Sequence, residues 1–221
     1  MSPVLHPFHP VRTGTYTVAL ALVVLLAACG GGSKHKAESV DTTTTRPEVL
    51  DVKTSVLKVG SVDIQSAGPT NPIDTATGKA VLGASQAYVD NAIFAPLKTG
   101  KLAGGYPALF DTSLKSAVIG ADQPALTDLS VGKVTKLSTT ATPVHLSSLE
   151  GTLGEVMYVA TDFDLTIRAT GGSGPLTIQR HVELTFAKTG TAWHVAAYRV
   201  QAVRKAAAGT TTTTATRGTT P

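Results

Sequence analysis

A chain of 221 residues with one cysteine, Cys29, cannot form an internal disulfide, so its folded part must be held together by a hydrophobic core. The net charge of +4 lies outside residues 48–203, which contain 12 Lys and Arg against 13 Asp and Glu. Because this near-neutral segment carries no basic stripe interleaved with aromatic residues, nucleic-acid binding is excluded from the expected functions.

An uncharged apolar run of 11 residues extends from Val18 to Ala28, directly before Cys29. A helix that crosses a bilayer needs about 20 residues, so this run is too short to span one. Its length, its small final residues and the weakly cationic segment before it predict a secretion signal over residues 1–28. The alternative is a core helix beside an ordinary buried cysteine, which the polar, Gly- and Pro-rich flanks disfavour.

The end of this run, Leu26-Ala27-Ala28-Cys29, resembles the lipobox of bacterial lipoproteins. The resemblance implies cleavage before Cys29, a diacylglyceryl group in thioether linkage on its sulfur, and acylation of the freed amine, for instance with palmitate. It also implies a location in the cell envelope, on the extracytoplasmic face of the cell membrane. The expected membrane partner is thus engaged through the lipid on Cys29.

Residues 29–47 and 206–221 flank the folded segment and have little apolar surface to bury. The first contains Gly30-Gly31-Gly32 and the second contains the threonine run from Thr210 to Thr214. These compositions predict a flexible tether, a single domain over residues 48–205, and a disordered Thr-rich tail. The tail threonines are either sites of O-glycosylation or part of an unmodified linker, and composition does not separate the two.

The first half of the domain is predicted to be mainly helical. The Val-rich stretch from Leu50 to Ala67 predicts one or two short strands before the helices. Asp74 suits the N-cap of a helix from Thr75 to Phe94, which Pro96 ends or kinks. Two shorter predicted helices follow, from Pro107 to about Val118 and from Gln123 to Leu129 with Asp122 as the cap.

After Ser130 the apolar residues change from helical spacing to alternation, which predicts antiparallel strands. The segment Gly171-Gly172-Ser173-Gly174 and the pair Thr189-Gly190 mark tight turns between strands. Because the strands share an apolar face that needs cover, the predicted fold class is α+β, with the N-terminal helices packed on an antiparallel meander. The predicted strands are Val131–Thr142, Val156–Ala169, Leu176–Phe186 and Ala192–Val203.

The apolar pattern also predicts how the strands pair, because a slip of one residue would move every side chain to the other face. For the last hairpin we expect Phe186 opposite Trp193, which places Arg180 opposite Arg199. The same pattern continues with Leu184 opposite Val195 and Val182 opposite Ala197. For the preceding pair it gives Ile167 opposite Ile178, Phe163 opposite Val182 and Val159 opposite Phe186.

Helices followed by a meander that ends in the strand Trp193–Val200 resemble the nuclear transport factor 2-like (SnoaL-like) superfamily, over residues 74–203. The chain is also similar to a group of actinobacterial lipoproteins of unassigned function. The resemblance implies a cone-shaped domain with a curved sheet. That superfamily includes isomerases, cyclases and dehydratases, but also catalytically silent binding or assembly modules, so the fold does not decide the function.

Arg180 and Arg199 are the candidate ligand-binding residues, because two guanidinium groups on one apolar face need anions. They would hold an acidic small molecule, such as a lipid-like carboxylate or a phosphate, at a pocket mouth. The alternative, which ion-pair statistics favour, is pairing with Asp90 or Asp111, or exposure at the sheet end. Tyr88 is the candidate that would act inside the pocket.

On the opposite face, Asp164, His181 and Tyr198 are predicted to form a row, with Asp162 opposite Glu183 nearby. The row is either an acid–base site or the ordinary polar face of a half-buried sheet, and the second interpretation is favoured. The histidines show no metal-ligand spacing, and no phosphate-binding loop or nucleophile elbow is present in the sequence. No catalytic residue, metal or cofactor is therefore predicted.

These features favour a non-catalytic binding module, anchored in the membrane, for a small apolar or anionic ligand or for an envelope protein. One alternative is an enzyme of the isomerase or cyclase type acting in a pocket between helices and sheet. Another is a structural protein of the envelope that uses the outer face of the sheet as an interface.

Overall fold

The computed structural model describes residues 56–66, 73–207 and 209–220, all within the compact unit Pro47–Pro221. The predicted signal segment 1–28, the lipidation site Cys29 and the tether 29–47 lie outside the described residues. Of the helices described, none is long and apolar enough to cross a membrane.

Helices and a seven-stranded, mostly antiparallel open sheet make up the described structure, which confirms the α+β class. The α-helices are Thr75–Tyr88 (α1), Ala95–Thr99 (α2), Lys115–Ile119 (α3) and Gln123–Leu126 (α4), and the helical turns are Val89–Phe94 (π) and Tyr106–Leu109, Thr112–Leu114 and Leu129–Val131 (3-10). The strands are Val59–Ser66 (β1), Val134–Ala141 (β2), Val144–Glu150 (β3), Val156–Gly171 (β4), Gly174–Thr189 (β5), Ala192–Ala206 (β6) and Thr211–Thr219 (β7).

The strands lie in the order β1-β3-β4-β5-β6-β7, and β2 also pairs with β4. Strands β4 to β7 form an antiparallel meander, whereas β1 pairs with β3 in parallel. Side chains on one face of the sheet, the core face, are buried under the helices, and those on the other, the outer face, are half-exposed or exposed. Every candidate site therefore belongs to one of these two faces.

The long N-terminal helix begins where the sequence predicts, and its regular α-helical pattern is interrupted before Pro96. Asp74 caps α1 by accepting a hydrogen bond from the Thr77 amide, at 2.8 Å. The helix then passes through the π-helical turn Val89–Phe94, and α2 begins at Ala95, directly before Pro96. Because Pro96 has no amide hydrogen and its ring crowds the preceding turn, the regular helical ladder is disturbed here.

Strands β2 and β3 lie end to end along the same edge of β4, and Thr142 and Pro143 separate them. β2 pairs with the second half of β4 and β3 with its first half. At the interruption, the Thr142 amide donates to the Asp164 carbonyl (3.0 Å), and the Thr142 hydroxyl accepts from the Asp164 amide (2.8 Å). Gly60 of β1 packs so closely on Pro143 that a Cβ at this position would collide with the proline ring.

The core lies between the helices and the core face of β3 to β6. Phe110 is the centre of an aromatic cluster in which Tyr88, Tyr106 and Tyr198 meet it edge-to-face, with ring centroids 6.4, 5.4 and 5.8 Å away. Edge-to-face pairs place the positive ring edge against the negative ring face, so the cluster adds specific geometry to apolar burial.

The structure corrects several of the predicted elements. Strand β3 falls between predicted strands and was not anticipated. The predicted disordered tail is wrong for Thr211–Thr219, which form β7 and pair with β6 along nine residues. Threonine is β-branched and suits a pleated strand. The edge of β6 supplies hydrogen-bonding partners for the backbone of this threonine run. The predicted helix from Pro107 to Val118 is instead a succession of short turns ending in α3.

The register of the β4–β5 pair is as predicted, whereas that of the β5–β6 pair is not. Ile167 lies opposite Ile178 and Val159 opposite Phe186. In the next hairpin Phe186 lies opposite Val195, and a bulge at Thr185/Phe186 shifts the pairing by one more residue. The prediction placed the two-residue turn at Thr189-Gly190, one position before the observed turn at Gly190-Thr191, and it assumed no bulge. The bulge moves the β6 side chains beyond it to the face opposite the predicted one.

Candidate functional site

The structure does not bring the predicted anion-binding arginines together. Arg180 lies on the core face, 1% exposed, and its β6 neighbour is Ala202 rather than Arg199. Arg199 lies on the outer face opposite Glu183, to which its Nη1 is 3.5 Å. The displaced turn shifts the pairing by two residues, and the bulge adds one more, which moves Arg199 to the outer face.

Arg180 is instead one member of a buried ion cluster that includes Asp128 and Arg204, called here the Asp128 cluster. The Arg180 Nε and Nη2 each donate to the Asp128 carboxylate at 3.0 Å, and its Nη1 donates to the Ala125 carbonyl at 2.9 Å. Arg204 donates to the same carboxylate from Nε at 3.0 Å and from Nη2 at 2.8 Å. The partner carboxylate is therefore Asp128, not Asp90 or Asp111.

Further carbonyl and hydroxyl acceptors complete the Asp128 cluster. Arg204 Nη2 also donates to the carbonyl oxygens of Thr127 (2.8 Å) and Pro124 (3.3 Å), and its Nη1 donates to the Thr214 hydroxyl of β7 (3.0 Å). The donors of both arginines are thus directed at protein acceptors. The cluster ties the segment around α4 to β5, β6 and β7, which is a structural role.

Tyr88, the third predicted ligand-binding residue, is fully buried beside the Asp128 cluster. Its hydroxyl donates to the Leu126 carbonyl at 2.7 Å. Burial raises the pKa of Tyr88 to about 12, because the phenolate would be desolvated, although nearby Arg180 lowers it somewhat. Tyr88 is therefore a neutral donor in the core, which does not match the predicted role of a residue acting inside an open pocket.

The outer face carries a different group of charges around His181, called here the His181 cluster. Its Nδ1 is 3.0 Å from Asp164 Oδ1 and 3.7 Å from Asp162 Oδ1, and its Nε2 is 3.0 Å from Glu183 Oε1. Partial burial lowers the pKa of His181, but hydrogen bonds to Glu183 and Asp164 outweigh it, so the pKa lies above its ordinary value. Asp162 lies opposite Glu183, as predicted.

Tyr198 is not part of this row, contrary to the prediction. It lies on the core face, 3% exposed, and its hydroxyl donates to Asp122 Oδ2. Thr216 of β7 donates to the other oxygen of the same carboxylate. Asp122 precedes α4 but does not cap it with its side chain; the carboxylate joins β6 and β7 to the start of that helix. Gly218 leaves space for the Tyr198 ring, because a Cβ there would collide with it.

A groove of about 410 Å³ lies on the outer face next to the His181 cluster, and we call it the outer groove. Ala160 and Thr185 are opposite each other in the groove. They lie on the same face as Asp162 and Glu183, two residues away along β4 and β5. The side chains that form its walls are uncharged. They are Gln65 of β1, Ser147, Ser148 and Leu149 of β3, Tyr158 and Ala160 of β4, and Thr185 of β5.

Several large apolar side chains are exposed at the same end of the sheet. Leu149 and Tyr158 are cross-strand neighbours with 46% and 37% of their surface exposed. Met157 directly precedes Tyr158 in β4 and is 48% exposed, and Leu153 in the β3–β4 turn is 88% exposed. Glu155 fixes that turn by accepting from the Leu153 amide at 3.1 Å, so the leucine is held outward. Exposed apolar side chains are therefore present both in the groove and at the nearby turn.

No protein-family model matches this chain, and no curated protein or solved structure is significantly similar to it.

Sequence reasoning missed Arg204, Asp128 and the outer groove. Arg204 was counted with the charges outside residues 48–203, and Asp128 fell within the predicted helix from Gln123 to Leu129, because neither has a local partner in the sequence. The groove depends on β1 pairing in parallel with β3, a contact between residues more than 80 positions apart. The single available signal was the alternation of β6, which places Arg204 on the same face as Val200 and Ala202.

Proposed function

We propose that the chain is a bacterial lipoprotein, anchored through lipid on Cys29 to the extracytoplasmic face of the cell membrane. Its cone-shaped domain, of the nuclear transport factor 2-like type, would be a non-catalytic binding module. The observation that supports this proposal is the outer groove, which has the size of a small-molecule site and walls without charge. The binding surface is then on the outer face and not between helices and sheet.

The chemistry of the groove selects an uncharged, partly apolar ligand. Tyr158, Leu149 and Ala160 offer an apolar platform, while Gln65 and the hydroxyl groups beside them offer hydrogen bonds that fix orientation. The carboxylates of Asp162 and Glu183 lie beyond one end, so an anion would be repelled there. A lipid-like anion, one of the ligands expected from the sequence, therefore fits this groove less well than a neutral molecule.

The exposed apolar side chains favour a second candidate function, docking of an envelope protein. Leu153 and Met157 are exposed near the groove residues Leu149 and Tyr158, and a partner that covers them would remove them from water. In that case the module assembles proteins at the membrane and carries no small molecule.

Filling the groove tests the first candidate. Ala160→Phe places a large ring on the groove wall, and Thr166→Phe is the matched control, on the same strand and face but outside the groove. The mature lipoprotein is purified from a membrane-rich extract in mild detergent, and bound molecules are identified by native mass spectrometry and organic extraction. We expect a neutral co-purifying molecule with the parent and Thr166→Phe proteins, and none with Ala160→Phe.

A parent protein without bound molecules, or equal retention by all three proteins, would reject the groove as a small-molecule site. Cross-linking in intact cells then tests the second candidate. A cross-linked envelope protein that is lost with Leu153→Asp but retained with Thr166→Phe would support docking. Loss of neither would reject it.

The anchor has its own test. We expect the parent protein in the membrane fraction and the Cys29→Ala variant in the soluble extracytoplasmic fraction. Mass spectrometry of the parent's N-terminal peptide should find the lipid on Cys29. A Cys29→Ala variant that remains with membranes to the same extent as the parent would refute lipid anchoring.

A further inference from the structure

We propose that Asp162, His181 and Glu183 form a binding site for a divalent transition-metal ion such as Zn²⁺ on the outer face. One ligand atom from each residue lies within 4.8 Å of the others. Asp162 and Glu183 are opposite each other on β4 and β5, and His181 lies two residues from Glu183 on the same face. Three donors thus come from two adjacent strands that the sheet holds in register, and the site does not depend on the proposed ligand of the groove.

The arrangement around the imidazole calls for a cation. Carboxylate oxygens lie 3.0 Å from both ring nitrogens, Asp164 at Nδ1 and Glu183 at Nε2. A neutral imidazole has one N–H, so it donates to one of these carboxylates and presents a lone pair to the other. Either a second proton on the ring or a metal ion between that lone pair and the facing carboxylate turns the second contact from repulsive to attractive, and the two compete for the same nitrogen.

The negative charge around His181 also favours a bound cation. Three carboxylates, those of Asp162, Asp164 and Glu183, surround one imidazole. The cation described close to them is Arg199, whose Nη1 is 3.5 Å from Glu183 and whose side chain is 69% exposed. A partly neutralised group of carboxylates attracts a divalent cation, and the ligand side chains, 37 to 48% exposed, leave it a path from solvent.

The donor types select the metal. One imidazole nitrogen with two carboxylate oxygens suits Zn²⁺ better than Mg²⁺ or Ca²⁺, which prefer oxygen ligands alone. Asp164 takes the role of the carboxylate that holds the second ring nitrogen of a metal-bound histidine: with Nδ1–H donating to Asp164, Nε2 is left to bind the metal. Three protein ligands leave a fourth position on the solvent side.

Zinc titration of the tag-free protein tests the site, in a Cys29→Ala background so that a free thiol does not bind the metal. We expect one Zn²⁺ per chain by isothermal titration calorimetry at pH 7.5 after chelator treatment. His181→Ala should abolish this binding, and the isosteric Glu183→Gln should weaken it at least about tenfold. Asp164→Asn, which alters the residue behind the imidazole, should weaken it by about 10- to 100-fold.

His145→Ala is the matched control. His145 is another half-exposed histidine of the outer face and lies opposite Asp162 in the β3–β4 pair, but its Nε2 is directed at Asp63, 3.2 Å away. This variant should bind Zn²⁺ as the parent does. The proposal fails if the parent binds no Zn²⁺, if His181→Ala and Glu183→Gln bind it like the parent, or if His145→Ala abolishes binding. Circular dichroism confirms that each variant is folded, and Ala160→Phe should bind Zn²⁺ normally, which separates this site from the groove.

Discussion

Two charged clusters lie on opposite faces of the same sheet, and they differ in sign, burial and consequence. In the Asp128 cluster, two guanidinium groups share one carboxylate, and that carboxylate has no exposed surface. In the His181 cluster, three carboxylates surround one imidazole, and every member is more than a third exposed. The first is completed by protein carbonyl groups, whereas the second is open to solvent.

The contrast shows how burial decides what a charge can do. A buried ion pair must be fully hydrogen-bonded by protein, because removal of one partner leaves a charge without solvent. An exposed pair is screened by water and contributes little to stability, so its charges remain available to a ligand. We therefore expect substitutions in the Asp128 cluster to affect folding, and substitutions in the His181 cluster to affect binding.

The largest expected effect is that of Asp128→Asn. The amide keeps the size of the carboxylate but leaves Arg180 and Arg204 without their shared anion, so the free energy of unfolding should fall by about 3–5 kcal/mol. Urea unfolding followed by circular dichroism measures this loss. Asp162→Asn, the matched change in the His181 cluster, should alter the free energy by less than about 0.5 kcal/mol. Equal losses for the two variants would contradict the contrast between the faces.

The next largest effect is expected at alkaline pH, where titration of the buried Tyr88 should lower the free energy of unfolding. The pKa of Tyr88 is raised by burial from 10.0 to about 12, so the folded state holds the phenol proton more tightly than the unfolded state. The stabilisation is complete below pH 10 and is lost as pH rises from 10 towards 12. At about 1.4 kcal/mol per pKa unit, the parent should lose about 1–2 kcal/mol more than Tyr88→Phe does between pH 8.5 and pH 11.

Urea midpoints for the two proteins across that range give the difference in slope. Tyr158→Phe, at an exposed position of the outer face, should follow the parent. If Tyr88→Phe and the parent lose stability in parallel, Tyr88 does not couple folding to alkaline titration.

A smaller effect is expected for Tyr198→Phe, which removes the hydrogen bond to Asp122. Since Asp122 keeps its hydrogen bond from Thr216, the free energy of unfolding should fall by about 1 kcal/mol. Thr216→Val removes the other hydrogen bond and should have a similar effect by itself, measured as a shift in the urea midpoint. A double variant with a loss well above the sum of the single losses would indicate that the two hydroxyl groups compensate for each other.

The smallest effect is predicted for Arg199→Ala on the outer face. Its contact with Glu183 is 3.5 Å long and its side chain is 69% exposed, so the free energy of unfolding should change by less than about 0.5 kcal/mol. Thermal unfolding at low and at 0.5 M salt measures it. A loss of more than 1 kcal/mol at both salt concentrations would show that the outer face contributes to folding as the buried one does.

Local pattern predicted the strands that alternate without interruption. β4 and β5 alternate along most of their length, with Arg180 as a charged residue in the apolar series, and are joined by a glycine-rich turn, so both their existence and their register followed from the sequence. Asp74 was likewise predicted to be a helix cap from its position before a segment with apolar residues at helical spacing. These features depend on residues close together in the chain.

Features that depend on distant partners were not predictable in this way. One extra residue in the β5–β6 pair moved Arg199 and Tyr198 to the opposite faces from those expected. β7 was assigned to a tail because a threonine run has a linker composition, although its backbone pairs with β6. The predicted partners of Arg180 were Asp90 and Asp111, whereas its acceptor is Asp128. Asp128 is 52 positions away in the chain, and the tertiary fold brings it near.

The interruption at Pro143 divides the molecule into segments that can exchange amide hydrogens at different rates. β1 pairs with β3, and β3 pairs with the first half of β4, while Pro143 contributes no amide to either ladder. Thr142 is the residue that joins this outlying pair of strands to the centre of β4. We therefore expect β1 and β3 to open locally without unfolding of β5 and β6. Because β1 and β3 form one wall of the outer groove, a bound ligand should slow hydrogen exchange in these two strands first.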